Sequence, residues 1–219
     1  MTTEKETLSE YFNMLVDWKK FPAYRMEPRV DSMIGLFLPV ILKNNLGVNI
    51  AATIPEFPIR LGSVRPEVEH TSYSSKSYKV DFYCLTDAGD NLFIEFKTDS
   101  SSRRENQDDY LKKSTDVGFE TLMDGVIKIY NVTTYKSKYL HLIERLISIG
   151  LVERNGKQFS SSVANRKIGI VYIQPKTTEV KFGEKIIDFY SVANTLRMIE
   201  PQNEFTSFVA ELFNAWISD

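Results

Sequence analysis

The chain has 219 residues, 42% hydrophobic and 26% charged, the proportions of a globular protein with a packed core rather than a disordered segment. Its 27 Lys and Arg stand against 29 Asp and Glu for a formal charge of −2, so attraction to a polyanion must come from a local patch or bound cations. The single cysteine, Cys84, excludes an internal disulfide and a multi-cysteine zinc site. The start MTTEKETLSEYF has no basic-then-apolar leader, and the longest apolar run, near Met33 to Leu42, is about half of a membrane span. A cytoplasmic protein with no membrane segment is the expectation.

In chain order, residues about 7–20 carry Tyr11, Met14, Leu15 and Trp18 at helical spacing. A second helix is expected after Glu27, with Pro28 at its first position, Asp31 in its first turn, and a kink or interruption at Pro39. Three prolines punctuate 49–75, which reads as strand and loop. The segment 78–98 reads as a β-hairpin whose turn, Thr86 to Asn91, holds Asp87, Gly89 and Asp90. A helical pattern covers about 105–130, broken near Gly118, and another covers about 135–149. Residues 151–160 read as a small hairpin turning at Asn155-Gly156, with Val152 facing Phe159. GIVYIQP is a buried strand by composition, a further hairpin is expected around EVKFGEKIIDF, and two helices close the chain.

Side chains alternate across a strand, so the two arms of the 78–98 hairpin can be sorted by face. Folding about Ala88 pairs Val80 with Phe96, Phe82 with Ile94, and Cys84 with Leu92, and a slip of one residue destroys that apolar match. The same register sets Asp81 opposite Glu95 on the other face, with Lys97 two residues along. Opposed carboxylates repel. They persist when a cation lies between them or one is protonated, and Lys97 or a divalent metal can be that cation. Tyr83, Leu85 and Phe93 share this face, and partial burial raises the cost of an uncompensated charge.

An Asp on one strand, a turn, and then Glu95-Phe96-Lys97 on the next resembles the PD-(D/E)XK nuclease superfamily, although Val80 stands where that family's name has Pro. The resemblance covers about residues 27–174. It implies an α/β fold of restriction-endonuclease type, a small mixed sheet flanked by helices. The whole of 1–219 is then expected as one domain, with a helix-hairpin insertion at 135–166 and a C-terminal helical extension. By resemblance, Asp81 and Glu95 hold Mg2+ or Mn2+ with the Phe96 carbonyl, and Lys97 orients or activates water or stabilises charge on a phosphate. Members often add an acid from the first helix, here Asp31 in preference to Glu27. Many also carry a Gln and a Tyr on the next helix. Gln107 and Tyr110 match, one residue closer than the usual Gln-x-x-x-Tyr, and share a helical face with Leu111 and Ser114. Arg103 and Arg104, with Lys112 and Lys113, offer phosphate contacts among Glu105, Asp108 and Asp109. The implied activity is metal-dependent hydrolysis of DNA, and a homodimer is left open.

Other readings stand beside this one. Asp81, Glu95 and Lys97 can form a charged hairpin face closed by a Lys97 salt bridge, or the scaffold can be a catalytically silent relative that binds nucleic acid or protein. The segment YLHLIERLISIGLVERNGKQFS resembles the last helix and wing of a winged-helix DNA-binding module, with Arg154, Lys157, Arg166 and Lys167 as its positive charge. His70 and His141 lie in no metal-ligand spacing and are expected at the surface. Cys84 is expected as an inert core thiol.

Overall fold

The computed structural model describes residues 3–18, 26–99, 103–163 and 167–217. Lys19 and Lys20, at the end of the first expected helix, and Arg166 lie outside the described residues. The chain is mixed α/β. Among the described residues its strands form a five-stranded sheet in the order β1-β2-β3-β6-β7 and a two-stranded sheet β4-β5. The strands are β1 (Ile50–Arg60), β2 (Ser77–Thr86), β3 (Asn91–Phe96), β4 (Val152–Asn155), β5 (Gln158–Ser161), β6 (Ile168–Gln174) and β7 (Lys185–Asp188). The larger sheet is mixed in direction, since β7 runs parallel to β6 with Val171 beside Lys185 and Gln174 beside Asp188. Helices flank it. The chain divides into two compact units, 1–50 with 94–104 and 171–219, and 51–93 with 105–170.

The first unit holds α1 (Glu4–Trp18), α2 (Glu27–Leu46), α7 (Phe189–Arg197) and α8 (Glu204–Trp216). Helix α1 turns Phe12 and Leu15 inward, and the Phe12 ring stacks on Phe208 at 5.6 Å. Tyr11 and Trp18, expected on the buried stripe, stay 44% and 39% exposed, because the face set by Phe12 against α8 rotates them outward. Helix α2 continues without interruption through Pro39. Pro39 is on the exposed side, where the carbonyl left without its donor can be solvated. The helix ends at Gly47, whose φ of +72° suits a left-handed C-cap and whose amide donates to Lys43 O. Asp188 and Asn203 cap α7 and α8 by accepting from the Ser191 and Thr206 amides. Phe96, Phe189, Phe213 and Trp216 form a connected aromatic core, each wholly buried ring stabilising by about 1.5–3 kcal/mol.

The expected hairpin over EVKFGEKIIDF does not form. Residues 179–184 carry no strand, and only β7 does. The Lys181 and Phe182 amides donate to the buried Glu184 carboxylate, so this stretch satisfies itself locally instead of entering a ladder.

The second unit holds β1, β2, a short helix α3 (Leu61–Val64), a 3-10 turn at Pro66–Val68, α4 (Glu105–Val117), α5 (Phe119–Val132), α6 (Lys136–Ser148) and the β4-β5 hairpin. The helical pattern after 105 breaks where expected, with Gly118 at φ +81° separating α4 from α5. Phe57 packs on Tyr83 at 5.2 Å, and Tyr83 stacks on Phe119 at 5.3 Å. In the small hairpin, Asn155 pairs with Gln158, Arg154 with Phe159 and Val152 with Ser161. The two turn residues are therefore Gly156 and Lys157, one position later than expected, and Val152 does not face Phe159. Gly156, at φ +65°, occupies the first central position, where a II′-type turn needs a glycine.

Candidate functional site

The chemistry-bearing residues of the first unit gather where β3 ends. Glu95 is wholly buried, and Lys97, two residues along and so on the same face, is 8% exposed. Lys97 Nζ lies 3.1 Å from Glu95 Oε2. The backbone there is held as well, since the Lys97 amide donates to Ile173 O of β6 at 2.9 Å. Phe96, between them, points its ring the other way into the aromatic core, against Phe189 at 5.9 Å. Thr98 is buried, and its hydroxyl donates to Asp99 Oδ2 at 3.3 Å.

The acid that α2 brings to this strand end is Glu27. Its Oε1 accepts from the Thr98 amide at 3.5 Å, and Glu27 is the first residue of the helix. Asp31, one turn on, accepts instead from the neighbouring Ser32 amide at 2.6 Å on the exposed side. Of the two acids, Glu27 is thus the one bonded to the strand end. The helix starts one residue earlier than expected, with Pro28 second, and this brings Glu27 into its first turn.

In the second unit, Asp81 is half-buried on β2 between the buried Val80 and Phe82. The turn closes at the position that the apolar pattern selects. The Thr86 amide donates to Asp90 O at 3.0 Å, and the Asp90 amide donates to Thr86 Oγ1 at 2.9 Å. Cys84 is wholly buried, and burial pushes its thiol up to about 12 against a weaker opposing contact from Thr53 at 3.7 Å.

The residues carried over from the following helix are built into the second unit. Tyr110 is buried, stacks on Tyr78 at 4.4 Å and donates to Lys79 O at 3.1 Å, while Gln107 Nε2 donates to Tyr110 Oη at 3.4 Å. Lys113 pairs with Asp109 at 3.0 Å, and Lys112 and Arg104 are exposed. Arg103, in the first unit, lies over the Tyr172 ring at 4.2 Å, with its Nη2 2.6 Å from Glu184. Burial raises the Glu184 carboxyl's pKa, but the Phe182 and Lys181 amides and the Arg103 guanidinium outweigh it and bring the pKa down to about 2. Arg103 and Glu184 are 81 residues apart, and no local pattern joins them.

His70 and His141 are exposed, as expected. Among the described residues, no group of three or more His, Cys, Asp or Glu stands ready to hold a metal ion, and no helix is long and apolar enough to cross a membrane. No family model, no curated protein and no solved structure matches this chain.

Proposed function

We propose that the chain is a metal-dependent nuclease that hydrolyses phosphodiester bonds of DNA on a scaffold of restriction-endonuclease type. The observation that carries the proposal is the wholly buried Glu95 carboxylate with Lys97 Nζ at 3.1 Å, both at the end of a strand inside a sheet. Burying a carboxylate and an ammonium together stabilises little compared with apolar residues of the same volume. Charge retained there is better explained by chemistry than by folding, because a carboxylate and an ammonium at one strand end are what metal and phosphate binding use.

In this reading Asp81 would serve beside Glu95, as the alternating apolar pattern of the two arms implies. Two carboxylates and the Phe96 carbonyl are a sufficient hard-oxygen set for Mg2+ or Mn2+. Such ions keep several waters and bind through one or two protein carboxylates plus phosphate oxygens, so a third protein acid is not required. When bound, the ion would polarise a phosphoryl oxygen and lower the pKa of a water. Lys97, held by Glu95, would donate to that water or to a phosphate oxygen and stabilise the charge that develops there. Glu27, tied to the Thr98 amide, would fix the strand end that presents Lys97.

A second reading is favoured by the same contact, because Lys97 at 3.1 Å neutralises Glu95 without any metal. The scaffold would then be a catalytically silent module that binds nucleic acid or protein, as a monomer or a homodimer. Calorimetric titration of Mn2+ into wild type, Glu95→Gln and Asp81→Asn, with a DNA cleavage assay on the same samples, separates the two. The nuclease requires saturable Mn2+ binding and metal-dependent cleavage, both lost in each variant. Saturable binding without cleavage of single- or double-stranded DNA supports the silent module. No binding in any sample overturns the metal site.

A further inference from the structure

Within the second unit, a cleft of about 730 Å3 lies between α6 and β1, the edge strand of the larger sheet. That volume is within the range of clefts that hold drug-sized ligands. Its walls carry Lys79, Lys138 and Arg145 as permanent cations and Glu56 as the carboxylate. An excess of two positive charges in one cleft, on a chain whose formal charge is −2, is a local concentration and not the average of the surface. Tyr135, Lys138 and Arg145 recur at intervals of three and seven residues and so fall on one stripe of α6. Ile143 and Leu146, on either side of Arg145 in the chain, turn the other way and are wholly buried.

Two rings stand among these charges. Tyr139 is half-buried, whereas Tyr135, at the start of the stripe, is 68% exposed. The β1 wall holds a second feature. Glu56, between Pro55 and Phe57, has φ +51° and is the one non-glycine residue with positive φ among the described residues. Such backbone persists where the surroundings over-determine it, and these positions cluster at binding sites.

We infer that this cleft binds a single strand of nucleic acid, its phosphates on Lys79, Lys138 and Arg145 and a base stacked on Tyr135 or Tyr139. Cations interleaved with exposed aromatic rings are what such a strand needs, because every base offers a ring face and every linkage a negative charge. A duplex hides its ring faces in its own stack, so the tyrosines select the single strand. The inference is independent of the metal centre. The cleft is made of α6, β1 and Lys79, and binding there requires neither Glu95 nor a metal.

The test is fluorescence anisotropy with a labelled single-stranded DNA of about a dozen nucleotides, in EDTA, with circular dichroism to check each variant's fold. Wild type binds, with log K falling against log salt at a slope of about −2 for three phosphate contacts. The double variant Lys138→Glu/Arg145→Glu, exposed at both positions, binds more than tenfold more weakly and with a shallower slope. Tyr135→Ala weakens binding about tenfold with the slope unchanged. Glu95→Gln binds as wild type does, so loss of cleavage in that variant leaves the cleft intact and loss of binding in the cleft variants leaves the metal reading intact. The inference is overturned if wild type does not bind, if the double variant binds equally well, or if Tyr135→Ala is neutral while inorganic polyphosphate competes as strongly as DNA, which would mark a plain polyanion patch.

Discussion

Two buried ion pairs stand in the first unit. At one, the Arg103 guanidinium lies over Tyr172 at 4.2 Å with its Nη2 2.6 Å from Glu184, while Glu184 also accepts the Lys181 and Phe182 amides. At the other, Lys97 meets Glu95 through a single ammonium at 3.1 Å. The first pair has a planar guanidinium, which stacks and bonds in fixed directions, and a carboxylate that collects amide donors as an anion. The second has a point charge on a flexible stem, which can swing from one acceptor to another. Residue choice separates the two roles: the Arg pair closes a loop before β7, and the Lys pair leaves an ammonium able to turn toward a ligand.

Breaking the Arg103–Glu184 pair should therefore have the largest effect. Arg103→Ala leaves a buried carboxylate without its cation and should lower stability by about 3–5 kcal/mol in urea unfolding. Mn2+ binding, corrected for the folded fraction, should be unchanged. A loss under about 1 kcal/mol would mean that the clasp does not hold the loop. The same pair sets an acid limit. The Glu184 pKa is about 2 when folded against an ordinary 4.5, so its stabilisation is fully present above about 4.5 and is lost as pH falls toward 2. The loss is on the order of 3 kcal/mol, and it should vanish from the pH dependence of unfolding in Glu184→Gln. A smaller contrast concerns Cys84. With its thiol pushed up to about 12 and wholly buried, it should react with a maleimide at least about a hundredfold more slowly than in urea. Reaction at equal rates would place Cys84 on a mobile hairpin.

What the sequence disclosed was local. The 78–98 turn, the break at Gly118 and the proline start of α2 each follow from residues within a few positions of one another. The closing of the turn at Thr86 and Asp90 agrees with the apolar pairing of the two arms. What stayed hidden was long-range. Nothing near Lys185 says that β7 pairs in parallel with β6, so its segment was read as a hairpin. Arg103 was read as a phosphate contact because its partner, Glu184, lies 81 residues away. The basic cleft escaped for the same reason. Lys79, Lys138 and Arg145 are scattered along the chain and meet only when α6 lies beside β1. Glu27 was set aside because the helix was expected to start after it, and the true start is one residue earlier.

The most direct test of Glu95 is the stability of Glu95→Gln with and without Mn2+. Glu95→Gln leaves the buried Lys97 ammonium without its carboxylate and should lower stability whether or not Glu95 also holds a metal, so the shift that Mn2+ produces is the deciding quantity. Adding Mn2+ at about a hundred times its Kd should then stabilise wild type by about 2.7 kcal/mol and the variant not at all. A wild type that Mn2+ does not stabilise, or a variant that it stabilises as much as wild type, would make Glu95 and Lys97 a structural pair and contradict the nuclease.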